Sequence, residues 1–451
     1  MAAAATIRGS SIPLVTRRFD NTRRLVRAPL PFISELALRH GDVVGVRLLS
    51  GTQVVVTNPL YMKHIMQDHL GNFTRETDAH KAVRPFMGSG MATIADHTRW
   101  RRNRRLAQPA FHHRRIAEFG ELMVNTIEVF GDEWARKAND GNVIDLAAQM
   151  STLTLRIVAQ ALFGLDPDDP ALVRFAAATE CANVELTAFS RLPFPPLRMP
   201  TPGHRRFWCA IADMDSVVYD IITQFRGKRS DTGLLAMFMN AVDADTGERL
   251  SDKELRDEVV TMLFAGHETS AATLTWAWLL LDHHPDILAK VRDEAAVLRG
   301  HAEMADLPRL GYTRQVIEET LRLYPPGWNL GRRAATDDEF GGYRIPAGTQ
   351  LLQSIYHAHR HPDFWDRPEV FDPDRFSPAA VAARDRYAYL PFSVGGHRCI
   401  GNAFAMTEMQ LALASLVCRF DLNIPNPDLT PTAQLTLTSR RPVAATLTKR
   451  M

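Results

Sequence analysis

Chemistry is most concentrated around one cysteine. In Pro391-Phe392-Ser393-Val394-Gly395-Gly396-His397-Arg398-Cys399-Ile400-Gly401, three glycines surround Cys399, and a helical pattern begins just after it. Glycine admits φ > 0 and lets the backbone approach a ligand closely. A cysteine at a helix N-terminus feels the positive end of the macrodipole and the free N–H groups, both of which favour the thiolate. A thiolate in such a loop suits a soft metal centre. The competing reading is a structural cysteine in a glycine-rich turn, the usual fate of a free cysteine. Cys181, Cys209 and Cys418 lack the loop, and none of the four stands in a CxxC or CxxH spacing, so a zinc site is not expected from them.

Three other stretches hold charge where a plain fold would not need it. Ala265-Gly266-His267-Glu268-Thr269-Ser270 lies inside an otherwise apolar helical run. Glycine weakens a helix by about 1 kcal/mol, and an acid in a buried helix costs more unless it is satisfied. Glu319 and Arg322 fall at i, i+3 on one helix face, which alone is a common ion pair. Phe371-Asp372-Pro373-Asp374-Arg375-Phe376 offers a second arginine. His97-Thr98-Arg99-Trp100-Arg101-Arg102-Asn103-Arg104-Arg105 is a basic helix, but aromatics are scarce within it and the chain's net charge is only +2, which argues against nucleic acid.

Together these stretches resemble the motifs of the cytochrome P450 family, the heme-thiolate monooxygenases. Phe392-x-x-Gly395-x-His397-x-Cys399-x-Gly401 resembles the heme-binding loop, with His397 where arginine is commonest. The resemblance implies heme b, iron held by Cys399 as axial thiolate, and Phe392, His397 and Gly401 in the cofactor-binding loop. It implies a locally kinked groove at Ala265–Thr269, where Thr269 bonds the distal oxygen and Glu268 relays protons from solvent. It implies a buried network of Glu319, Arg322 and Arg375 that locks the scaffold of the cysteine loop. Two family forms overlap in the basic helix: His97-x-x-x-Arg101 and Trp100-x-x-x-Arg104, each a propionate contact. Arg332 matches a further propionate position, with Arg333 competing. Phe86, Met87, Phe264, Ala265, Trp328 and Leu330 are candidate walls of a lipophilic substrate pocket.

The implied reaction inserts one oxygen atom from O2 into a lipophilic small molecule. A heme-thiolate peroxygenase or a heme-based sensor is the alternative. Fatty acid, terpenoid, steroid and polyketide substrates all stay open. No ferredoxin-type cysteine set is present. Electrons are therefore expected from a separate acidic ferredoxin or flavodoxin with its reductase. Arg99, Arg101, Arg102, Arg104, Arg105, Arg114 and Arg115, with no acid among them, form the expected docking face.

These residues need a large helical frame. The 451 residues are 45% hydrophobic and 23% charged, which excludes a disordered, collagenous or disulfide-scaffold chain. The expected class is mainly α with small peripheral β-sheets. It is one domain over residues 31–451, with residues 1–30 expected to be poorly ordered. Ser251-Asp252-Lys253-Glu254 starts a capping box, and the helix it opens should run about 30 residues, or about 45 Å, to His283. Val43–Val56 reads as a hairpin turning at Ser50-Gly51, and strands are expected at Gly341–Ile345 and Gln350–Tyr356. Leu192–Pro202 and Pro325-Pro326 read as breaks. The longest apolar run, Ala271–Leu281, is too short to span a bilayer. No transmembrane anchor or secretory signal is therefore expected, and the expected location is cytoplasmic.

Overall fold

The computed structural model describes residues 11–191, 197–228, 233–240, 242, 247–298 and 302–450. Two of the breaks and segments expected from sequence fall partly outside these: residues 1–10 of the N-terminal segment, and 192–196 of the Pro-rich break. The chain is a mainly helical single domain with small sheets.

The long helix is Asp252–His283, and Ser251 and Glu254 close the expected capping box at its start. Its residues are apolar on nearly every side, so it is buried along most of its length. Leu146–Phe163 packs along it. A Cβ on Gly266 would stand 2.6 Å from Val158 Cγ2, and Thr154 donates to the His267 carbonyl at 3.0 Å. Among the described residues, Leu146–Phe163 is the helix long and apolar enough to cross a membrane, but 67% of it is buried inside the fold. The helix after Cys399 runs Asn402–Arg419 and is buried from Met406 to Val417. It packs on His113–Asn139 and on Gly311–Leu323, which ends before Pro325.

The largest sheet joins distant segments, in the order Leu14–Val15, Val43–Leu48, Gly51–Val56, Gln350–Ser354, Asn329–Ala334, Phe73–Thr74. The expected hairpin is its centre, with Val54 in parallel register with Leu351. Two expectations shift. The strand from Gln350 stops at Ser354, and Ile355–Ala358 is a helical turn. The strand expected at Gly341–Ile345 is a hairpin of Asp338–Phe340 and Tyr343–Ile345, turning on Gly341 and Gly342 at φ 59° and 77°. Within the N-terminal segment expected to be loose, residues 18–27 form a helix. Asn21 fastens it by donating to Val15 O and Arg47 O, both at 3.0 Å.

Candidate active site

The cysteine loop is folded back on itself. Cys399 N–H donates to Phe392 O at 2.8 Å, and Ser393 and Gly395 sit at φ 62° and 71°. A side chain on Gly395 would run into Met66 O and Gln67 Cα, so glycine is required there by both φ and space. Cys399 is surrounded by protein but opens on a cavity, whose free volume leaves the residue exposed. Burial pushes the thiol's pKa up, while the Gly401 N–H, Arg104 and Arg398 pull it back down.

That cavity measures about 360 Å³. Cys399 and Phe392 form one wall, and Ala265, Gly266 and Thr269 of the long helix another. The chain stays helical through this stretch. Thr269 Oγ1 donates to Ala265 O at 2.8 Å, and Gly266 serves the close approach to Val158. Glu268 does not line the cavity. Its carboxylate lies 3.7 Å from Arg441 and 3.9 Å from His267.

A cluster of cations closes one end. Arg75 Nη1 donates to Met91 O at 2.7 Å, Arg332 Nη1 to Gly331 O at 2.7 Å, and Arg332 Nη2 lies 3.5 Å from His397 Nδ1. The His397 ring stands edge-on to Trp100 with centroids 4.2 Å apart, and Arg75 and Arg104 each sit 5.8 Å from the Trp100 ring. Burial, reinforced by Arg75 and Arg332, pushes His397 down to about 2, and burial pushes Arg332 down to about 10. Among the described residues no carboxylate lies within ion-pair distance of Arg75, Arg104 or Arg332, and the buried Arg332 Nε has no partner. Unpaired buried cations are costly. The cluster therefore fits a group bearing acid functions beside the sulfur, as a heme with its propionates does.

The candidates of the basic helix separate by phase. Trp100 and Arg104 line the cavity, whereas Arg101 is exposed and His97 stacks outside Trp100 with centroids 5.6 Å apart. Arg332 is buried beside His397, which lines the cavity, whereas Arg333 is half-exposed, as strand alternation requires. Of the pocket candidates, Ala265 and Leu330 line the cavity. Phe86 and Phe264 are core residues that meet edge to face with centroids 5.0 Å apart, Met87 is buried beside them, and Trp328 donates to Gln434 O at 2.8 Å. Met91 also lines the cavity, and Val158, Leu162, Met262 and Ile355 are walls that sequence reasoning missed, because each reads as ordinary core. Arg75 was missed as well, for no motif marks it.

Behind the loop, Arg322 grips Glu319 through two bonds of 2.7 and 2.8 Å, both side chains fully buried. Arg322 also donates to the carbonyls of His359, Pro368 and Val370. Arg375 Nε is more loosely placed, 3.6 Å from Glu319 Oε1. The basic docking face is thinner than expected. Arg99 and Arg102 are bound to Glu254 at 2.7 and 2.5 Å, Arg104 turns inward, and Arg115 pairs with Glu118 at 2.7 Å. A second concavity of about 950 Å³ shares Leu390–Ser393 and Arg398 with the first, and is also lined by His113, Arg314 and Arg386.

The family model described as Cytochrome P450 matches residues 21–446. Cyclooctatin synthase of Streptomyces melanosporofaciens is 36% identical, covering 92% of this chain and 90% of its own. Pentalenene oxygenase of Streptomyces avermitilis is 34% identical, covering 95% and 94%. Cyclooctat-9-en-7-ol 5-monooxygenase of Streptomyces melanosporofaciens is also 34% identical, covering 93% and 90%. The crystal structure of the cytochrome P450DA heme domain superposes with a TM-score of 0.88 at 27% identity, covering 98% of both chains. A match this continuous, from the first helices to the last strand, means that the chain belongs to the cytochrome P450 family.

Proposed function

We propose that this heme-thiolate monooxygenase holds its iron through Cys399 and oxidises a compact, hydrocarbon-rich molecule of the terpenoid type. The observation that carries the reading is one cavity with Cys399 on one wall, Thr269 opposite, and unpaired arginines at its end. Relatives named for pentalenene and for cyclooctat-9-en-7-ol support the substrate class. So do the apolar walls Met91, Val158, Leu162 and Met262, which offer a long or acidic substrate no charge to grip.

Bound heme supplies O2 activation at an iron whose thiolate ligand pushes electron density toward O–O cleavage. Arg75, Arg104 and Arg332 would hold the propionates. Ala265 leaves room for substrate, and the apolar walls exclude water. Thr269 turns its hydroxyl from Ala265 O into the cavity to position a proton there. Glu268 relays protons inward from the side of Arg441. Arg441 and Glu180 are 3.0 Å apart with side chains 27% and 47% exposed, which connects this acid to solvent.

The separate electron donor is an acidic ferredoxin or flavodoxin, working with this protein in the cytoplasm. It docks over the larger concavity, where Arg386 and Arg398 stand next to the cysteine loop. Neutralising both should slow the first reduction at low salt and flatten its salt dependence.

The deciding experiment titrates the heme-loaded protein with cyclic terpene hydrocarbons, fatty acids, steroids and macrolactones, following heme spin state. Terpene hydrocarbons should shift it at the lowest concentration. A shift confined to fatty acids overturns the substrate class. Thr269→Ala should keep heme and binding but divert electrons to peroxide, and full coupled turnover in that variant overturns the role of Thr269.

A further inference from the structure

Away from the cavity, one carboxylate receives two imidazoles. His64 Nε2 lies 2.9 Å from Asp338 Oδ1, and His69 Nδ1 lies 2.9 Å from Oδ2. One potential ligand atom from each residue falls within 4.8 Å of the others, and the two rings are 4.0 Å apart.

A departure from regular helix brings the rings together. His64–Asp68 is a single π turn, closed by the His69 N–H donating to His64 O at 2.9 Å. In an α-helix, residues five apart diverge by about 140°. A π turn puts them on one face, and such turns are rare and concentrate at functional sites.

The carboxylate is held in place by groups that are not candidate ligands. Asn72 Nδ2 donates to Oδ2 at 2.8 Å, and Glu339 N–H to Oδ1 at 2.7 Å. Asn72 is itself fixed, accepting from Thr336 N–H and hydroxyl at 2.8 Å each. Supporting bonds of this kind orient metal ligands. Asp338 thus presents one fixed carboxylate to both rings. Its side chain is 5% exposed, while those of His64 and His69 are 20% and 49% exposed, which leaves a path for an ion.

We propose that His64, His69 and Asp338 form a binding site for a zinc-class divalent cation. The ligands are His64 Nε2, His69 Nδ1 and one Asp338 oxygen, with water completing the shell. Two imidazoles and a carboxylate with an open position are a ligand set zinc accepts, at about 2.0–2.2 Å per bond. At those bond lengths ligand atoms stand about 3.4 Å apart, so each 2.9 Å contact between a ring and the carboxylate opens by about half an ångström to admit the ion.

The site bears on the cysteine loop from behind. The same π turn presents Met66 and Gln67 to Gly395, Ser393 donates to Met66 Sδ at 3.5 Å, and Gln67 donates to the Tyr387 hydroxyl at 3.0 Å. A bound cation ties this turn to the Asp338 strand and so stiffens the support of the loop.

The test titrates the heme-loaded full chain with zinc chloride by calorimetry. One saturable site in the micromolar range is expected, weakened at least about tenfold in His69→Ala and in Asp338→Asn. His69 is half exposed, so its variant keeps the fold, which an unchanged reduced CO spectrum verifies. Cupric ion in the same site should show splitting from two nitrogens in the wild type and from one in His69→Ala. Saturating zinc should slow heme transfer to apomyoglobin in the wild type only. Absence of a saturable site, or wild-type zinc affinity in both variants, overturns the proposal, and neither result bears on the heme chemistry.

Discussion

Two arginine sites stand on either side of the cysteine loop, one fully buried and one opening on the cavity, and they are treated in opposite ways. Arg322 and Glu319 spend their hydrogen-bonding capacity on each other and on three carbonyls, with no capacity left facing a cavity. Arg75, Arg104 and Arg332 have no carboxylate at ion-pair distance among the described residues, and Arg332 Nε is bare. A closed set stabilises the chain by itself. An open set destabilises it until a ligand arrives, which is how a binding site differs from a scaffold made of the same side chains.

Breaking the closed set should have the largest effect. Glu319→Ala leaves Arg322 buried and unpaired, at a cost of about 3–5 kcal/mol, read as loss of soluble protein or a collapsed urea midpoint. Arg375→Ala should cost less, about 1–3 kcal/mol, because its contact is long and it is partly exposed. Equal losses in the two variants would mean a tighter triad than the distances allow.

Glu408 sharpens the contrast from the acid side. It is fully buried on the cysteine helix with neither oxygen hydrogen-bonded among the described residues, and burial pushes it up to about 8 against a pull down from Ser270. The fold therefore favours its protonated form. That contribution is complete below about pH 4.5 and is lost as pH rises through 8. Glu408→Gln should match the wild type near pH 5. It should gain stability over it toward pH 8, on the order of 4 kcal/mol, and stay level above. Parallel Tm curves from pH 5 to 9 would refute the shift.

Opening the other set further should change sign. Arg332→Leu should leave the heme-free protein as stable as the wild type, or about 1 kcal/mol more stable, while heme affinity falls at least about tenfold. A heme-free variant that unfolds would move Arg332 into the scaffold. The smallest effect separates two neighbours. Arg101→Gln should lie within about 0.5 kcal/mol of the wild type with heme retained, and Arg104→Gln should lose heme faster. The reverse order would restore the His97–Arg101 form.

The cysteine loop, the capped long helix and the Glu319–Arg322 pair were legible because their information is local. Glycine spacing, a capping box and an i, i+3 step constrain backbone within a few residues of the chemistry. The class and the main hairpin follow from apolar period in the same way. Tertiary structure decided what depends on phase between distant segments. Period says that Arg101 and Arg104 face apart, but only the packing of their helix on the cysteine loop selects Arg104. Gly266 reads as a groove residue until Val158 is found against it. Arg102 reads as a docking charge until Glu254 closes on it from the long helix. The same holds for Arg75, without a motif of its own, and for His64 and Asp338, which meet across 274 positions. A one-dimensional pattern carries the faces of each element, and which faces meet is set by the packing of the whole chain.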